Sequence, residues 1–317
     1  MSNISSLIGQ IRGFRSKIVL INGMQCEVID NNHQDWIVFN VGFAANIRDW
    51  NPQLKKQLAE KFNLLLYNYK GIYPYPPYPK HKVPLELSFP QLYEDLLSLL
   101  QAVIPGKKPY LLGWSMGATF VYYCVTRAGP NPESTFKGAI VFAGRDYLNS
   151  HYPTVGRQLL VRQPSQSFAS YESQIIQSLY PRSYLLNLPR LDLAALLIAF
   201  RVNYAPLSTE VIDAENAAIT EVDYGIVPIR SQWRKMSSTS QFPMIIFHAS
   251  QDGIVSQQYQ EDMKRVLPKQ WPINYVTYDG RHNLPFGGHA FFSEQDTANS
   301  VGLTTNITTI IKQTFGC

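Results

Sequence analysis

Gly113-Trp114-Ser115-Met116-Gly117 is the stretch of the chain best suited to do chemistry. It follows the apolar run Tyr110-Leu111-Leu112 and precedes a helical pattern. The serine is therefore expected on a sharp turn from strand into helix, the context a nucleophile elbow requires. Such a turn needs flanking positions without bulky Cβ groups, and glycine supplies both. The hydroxyl then projects beyond the sheet edge. The N–H of Met116 points at the same spot from a helix N-terminus, where negative charge is favoured. This pattern suits attack on an electrophilic carbon, with a donor ready for the oxygen that becomes charged. A serine hydroxyl is a poor nucleophile at its own pKa and needs a base. Imidazole is the natural base near neutral pH.

The elements that must hold such a serine are legible as alternating apolar runs and amphipathic stretches. Strands are predicted at Lys17–Ile21, Met24–Ile29, Trp36–Val41, Leu64–Tyr69, Tyr110–Gly113, Gly138–Ala143, Met244–Ala249 and Ile273–Tyr278. The later runs are continuously apolar, as expected of parallel strands covered on both faces. Asn22-Gly23 between the first two predicts a tight antiparallel hairpin, because both central residues of its turn need positive φ. Ser88, Pro90 and Gln91 sign the start of a helix as a capping box. Leu92, Leu96, Leu99 and Leu100 give that helix one apolar face. A second helix should follow the elbow and stop at Gly129-Pro130, and a last one should cover Val301–Phe315. About 100 residues between the Gly138 and Met244 strands break the rhythm. A structureless loop of that length is implausible, so residues 145–240 read as a helical cap inserted into a core of 1–144 and 241–317. Leu191–Val202 reads as the apolar centre of that insertion or as part of an acyl-chain tunnel. Ile72–Lys82 is a Pro/Tyr-rich loop, read as a stiff connection or an aromatic rim.

With these motifs in hand, the sequence resembles the α/β-hydrolase superfamily from about Val19 to Phe315, interrupted by the insertion. Gly42-Phe43 followed by Asp49-Trp50 looks like that family's oxyanion loop. Asn68-Tyr69-Lys70-Gly71 looks like its Asp-x-Arg-Gly turn. Gln251-Asp252-Gly253-Ile254-Val255 looks like the segment that supplies the acid. The resemblance implies an α/β fold, a mostly parallel sheet with helices on both faces. It also implies a serine–histidine–aspartate triad in that chain order. Ser115 would be the nucleophile, and Asp252 would orient the imidazole and stabilise its charged form. Asp146, after the preceding strand, is the reserve acid. His33, His81 and His151 lie too early or in the insertion, and His248 lies within a strand. His282 and His289 remain as bases. A 30-residue interval from Asp252 favours His282. Gly287-Gly288-His289-Ala290, with Glu294 beyond, favours His289. The backbone N–H groups of Phe43 and Met116 would form the oxyanion hole. Val41 stands where the family often has histidine, and Asn68 where it often has aspartate.

Composition narrows the class. The 317 residues are 45% apolar, 16% charged and 13% aromatic, which fits a folded globular chain and not a disordered one. The formal net charge of +5 comes without any basic run, so a nucleic-acid footprint is not supported. Cys26, Cys124 and Cys317 are too few and too scattered for a disulfide framework or a metal cage. No apolar stretch approaches a membrane span and the opening residues do not read as a secretory signal, so the expectation is a soluble, cytoplasmic protein without stable membrane insertion.

These readings converge on a serine hydrolase cleaving a carboxylic ester or thioester of an apolar or acyl substrate. It would need neither metal nor organic cofactor. Two alternatives use the same fold. One is an acyltransferase, or a thioesterase served by an acyl carrier as partner. The other is a non-catalytic ligand-binding protein.

Overall fold

The computed structural model describes residues 10–11, 14–43, 45–73, 87–146, 165–180, 182–187, 189–191, 193–194, 197–198, 209–223, 225–278, 289 and 298–316. The strands are β1 (Gln10–Ile11), β2 (Phe14–Ile21), β3 (Met24–Ile29), β4 (Trp36–Asn40), β5 (Asn63–Tyr67), β6 (Tyr110–Trp114), β7 (Gly138–Phe142), β8 (Met244–Ala249) and β9 (Ile273–Tyr278). The helices are α1 (Pro52–Ala59), α2 (Phe89–Val103), α3 (Met116–Arg127), α4 (Phe168–Leu179), α5 (Arg182–Asn187), α6 (Thr209–Asp223), α7 (Gln257–Val266) and α8 (Ala298–Phe315). All eight expected strands are present, and β1 adds a short further one at the sheet edge.

The strands lie in the order β1-β2-β3-β5-β4-β6-β7-β8-β9. The pairs β1–β2, β2–β3 and β3–β5 are antiparallel, and every pair from β5–β4 to β8–β9 is parallel. The predicted hairpin forms at Asn22 (φ 50°) and Gly23 (φ 79°), with Ile21 paired to Met24. Every residue of β4, β5, β6, β7 and β8 is buried, which is why these strands read as unbroken apolar runs and not as alternating ones. The helix after the elbow, α3, is buried from Met116 to Thr126 and packs on β4, β6 and β7. The β6–α3 turn is thus fixed near the middle of the sheet.

Three local expectations change. The capping box at Ser88 is half made: Ser88 Oγ accepts from the Gln91 N–H at 3.3 Å, but the Gln91 side chain donates to Asp95 at 3.1 Å. Helices α1 and α7 are additional. α1 is short and mostly polar; Asn51 caps it, Pro52 starts it, and only Leu54, Leu58 and Ala59 give it a buried apolar side. In α7, Tyr259 and Met263 do the same.

The described residues of the long β7–β8 connection include α4, α5, α6 and a 3₁₀ turn at Arg230–Lys235. Within the apolar stretch beginning at Leu191, Leu197 packs on the core while Leu191 and Ile198 are 84% and 60% exposed, so those two do not form the insertion's centre. Residues 199–202 of that stretch, 74–82 of the Pro/Tyr-rich loop, His81, His151, His282, Glu294 and Cys317 lie outside the described residues. Cys26 and Cys124 are buried free thiols; burial pushes both thiol pKa values up, to about 12 for Cys26. Among the described residues, no helix is long and apolar enough to cross a membrane.

Candidate active site

Ser115 joins β6 to α3 with φ 55° and ψ −119°, a conformation that L-residues adopt only when the surroundings enforce it. The enforcement is steric. A Cβ on Gly113 would sit 2.3 Å from the Gly117 carbonyl oxygen, and one on Gly117 would sit 2.2 Å from that of Asn40. Both positions therefore need glycine. The Ser115 N–H donates to the Phe142 carbonyl at 3.0 Å, and the Ser115 carbonyl accepts the Thr119 N–H at 3.0 Å. The serine side chain makes no capping hydrogen bond to its own helix and is partly exposed. Met116 begins α3, so its N–H is one of the helix's first four and has no acceptor within the helix.

The loop after β4 lies beside this turn. A Cβ on Gly42 would approach the Trp114 ring to 2.9 Å, so the loop and the ring are in direct contact. Phe43 follows at 8% exposure. Position 41 is valine, and other groups hold this loop. The Tyr69 hydroxyl donates to the Val41 carbonyl at 2.9 Å. The Asn68 carboxamide oxygen accepts the Ile47 N–H at 2.8 Å. Asn46 and Asp49 close a reciprocal capping box around the next 3₁₀ turn. Burial holds the Tyr69 phenol well above its ordinary pKa, so it serves as a donor.

The third part comes from the other side of the sheet. Asp252 follows β8, and its Oδ1 accepts the N–H groups of Ile254 and Val255, both at 2.8 Å. His289 Nδ1 lies 2.8 Å from Oδ2 and 3.0 Å from Oδ1 of the same carboxylate. Both side chains are essentially inaccessible. A carboxylate only accepts, so Nδ1 carries the proton and Nε2 is left as the basic nitrogen. Among the described residues Nε2 is buried with no hydrogen-bond partner. The indole N–H of Trp114 donates to the His289 carbonyl at 3.0 Å, and the two rings lie 5.6 Å apart. The nucleophile turn, the Gly42-Phe43 loop and the Asp252–His289 pair therefore meet around Trp114.

The remaining candidates are used elsewhere. Asp146 accepts from Arg230 at 3.0 and 3.3 Å and from the Trp233 indole at 3.0 Å. Burial raises its pKa, partly offset by Arg230. His33 Nε2 lies 3.1 Å from the Ala59 carbonyl, in a turn held by Asn63. His248 is buried in β8, and desolvation lowers its pKa against the pull of Asp252. Its position two strand steps from the acid loop marks it as a neighbour of the pair, a feature hidden in sequence by its place inside an apolar strand. Among the described residues no cluster of three or more His, Cys, Asp or Glu side chains could hold a metal ion.

No family model matches the sequence, and no curated protein does. Solved structures match over nearly the whole chain. A hydrolase from Pseudomonas aeruginosa PA01 is 14% identical with a TM-score of 0.67, covering 99% of both chains. An esterase from Exiguobacterium antarcticum is 17% identical at 0.68, covering 94% of this chain and 98% of that one. An enol-lactonase from Burkholderia xenovorans LB400 is 15% identical at 0.67, covering 93% and 99%.

The chain has the α/β-hydrolase fold. In that fold the antiparallel β2–β3 hairpin, the central β6–α3 turn and the loop after β8 hold the positions expected from the sequence. Ligands in open parallel sheets bind beyond the carboxyl ends of the strands, and Ser115, Phe43 and Asp252 all lie there. The β7–β8 helices border the same region: a Cβ on Gly253 would lie 3.6 Å from the Ser178 carbonyl at the end of α4.

Proposed function

We propose that the protein is a serine hydrolase that cleaves a carboxylic ester or thioester of an apolar acyl substrate. The observation that carries this reading is the buried Asp252–His289 pair, whose Nε2 has no hydrogen-bond partner among the described residues, joined through Trp114 to the strained Ser115 turn. Ser115 Oγ attacks the substrate carbonyl carbon while His289 Nε2 takes its proton. The N–H groups of Phe43 and Met116 stabilise the oxyanion, a contribution worth about 3 kcal/mol per donor in comparable sites. The tetrahedral intermediate collapses, the bond to the leaving oxygen or sulfur breaks, and that atom takes the proton from Nε2. Water then attacks the acyl-enzyme, giving its proton to Nε2, and collapse frees the acid and restores Ser115. Among the described residues Ser115 and His289 are not hydrogen-bonded; in this reading the bond closes when substrate fills the site, as catalytic hydrogen bonds commonly do.

An apolar substrate is supported by the apolar character of Phe43, Trp114 and Met116, which pack around the turn. The esterase and the enol-lactonase that share the fold favour an activated acyl–oxygen bond. The test is hydrolysis of p-nitrophenyl esters of graded chain length by wild type, His289→Gln and His282→Gln. His289→Gln should lose about 10³-fold or more in kcat, with His282→Gln within about fivefold of wild type. The reverse order would make His282 the base. Product analysis with an added alcohol separates hydrolysis from acyl transfer.

A further inference from the structure

The residue before the nucleophile does more than pack. The Trp114 ring lies against Gly42, close enough that a single Cβ there would be 2.9, 3.2 and 3.3 Å from three of its atoms. Its indole N–H donates to the carbonyl of His289 at 3.0 Å. Its backbone is the last residue of β6, paired in register with Phe142 of β7. Trp114 is 5% exposed, so both contacts are made in a desolvated setting where a lost hydrogen bond leaves the carbonyl stranded.

We infer that Trp114 is a positioning residue that sets the base and the oxyanion loop in one frame with the nucleophile. This rests on the serine-hydrolase reading above. His289 comes from a long connection between β9 and α8, and Asp252 fixes only its ring nitrogen. The carboxylate contact acts on the ring alone, and a shift of the backbone at residue 289 would swing Nε2 about the Nδ1 contact. The indole bond holds that backbone. The same ring holds Gly42, and with it the N–H that follows at Phe43. One rigid side chain rooted beside Ser115 therefore ties donor and base to the atom they serve, which is how misplacement by about 1 Å is avoided. Ring packing and the hydrogen bond are separable. Removing the N–H should disturb the base while leaving the loop in place.

The experiment measures covalent labelling of Ser115 by a fluorophosphonate, which needs no knowledge of the natural substrate. Wild type, Ser115→Ala, Trp114→Phe and a variant carrying 3-benzothienylalanine at 114 are compared; the last keeps the bicyclic ring and lacks the N–H. The maximal labelling rate of both position-114 variants should fall by about 10- to 100-fold, with the concentration giving half-maximal rate changed less than about threefold. The pH profile of labelling should shift in both, since the base is what has moved. A rate and pH profile equal to wild type in the benzothienylalanine variant would overturn the inference and leave Trp114 as packing alone, whatever its melting temperature. Failure of the serine-hydrolase reading looks different: wild type itself would not label, or Ser115→Ala would label equally. Either of those results would overturn both.

Discussion

Asp146 and Asp252 are both buried just beyond the C-terminal ends of neighbouring parallel strands, and their partners give them opposite work. Asp146 is held by Arg230 and Trp233, groups that only donate and do not titrate in the neutral range. Arg230 also reaches Asp262 on α7 at 2.6 Å, so this aspartate ties the return of the β7–β8 helices to the sheet. Asp252 is held by two backbone N–H groups and by an imidazole whose second nitrogen has no partner among the described residues. That partner is an imidazole, which can both donate and accept. The same carboxylate at equivalent places in the sheet thus clasps a loop in one case and, on the proposed function, orients a base in the other. The partner decides the role, and depth of burial does not.

The largest expected effect is that of Asp252→Asn. The carboxamide oxygen can still accept from Ile254 and Val255, but its NH₂ faces His289 and forces the proton onto Nε2. Turnover of a p-nitrophenyl ester should fall by about 10³- to 10⁴-fold in kcat with the fold retained. Asp146→Asn should do the reverse. It breaks the ion pair with Arg230, keeps an acceptor for Trp233, and should cost about 2 kcal/mol in urea unfolding, with kcat within about twofold. Equal effects of the two substitutions on kcat would break the contrast. The smallest effect belongs to His248. Burial holds its pKa below 6.5, so the native state binds fewer protons than the unfolded chain. Its contribution is therefore present above about pH 6.5 and is lost as pH falls through the lower native value. His248→Gln should flatten that acid slope, read from urea midpoints between pH 5 and 7.5, without removing the labelling of Ser115.

How much of this was legible in the sequence follows from what each feature depends on. The nucleophile turn depends on five consecutive residues and on glycines that sterics require, so Gly113, Ser115 and Gly117 announce it. The hairpin at Asn22-Gly23 and the unbroken apolar strands are equally local. The acid–base pair is not. His289 and Asp252 are 37 residues apart, and chain spacing alone favoured His282. Asp146 read as a reserve acid because Arg230 and Trp233, 84 and 87 residues away, could not be seen as its partners. The braces of the Gly42-Phe43 loop were hidden for the same reason: Tyr69 and Asn68 act across the sheet, from the end of β5. Helix α1 gives little sequence signal because half of its eight residues are lysine or glutamine and its apolar stripe is thin.

The central claim is that Ser115 is a nucleophile activated by His289. The most direct test incubates wild type and Ser115→Ala with a fluorophosphonate and locates the adduct by peptide mass spectrometry. The account predicts one adduct, on the peptide containing Ser115, absent in Ser115→Ala and slowed by about 10³-fold in His289→Gln. An unlabelled wild type, or an adduct that survives the loss of the Ser115 hydroxyl, would contradict it.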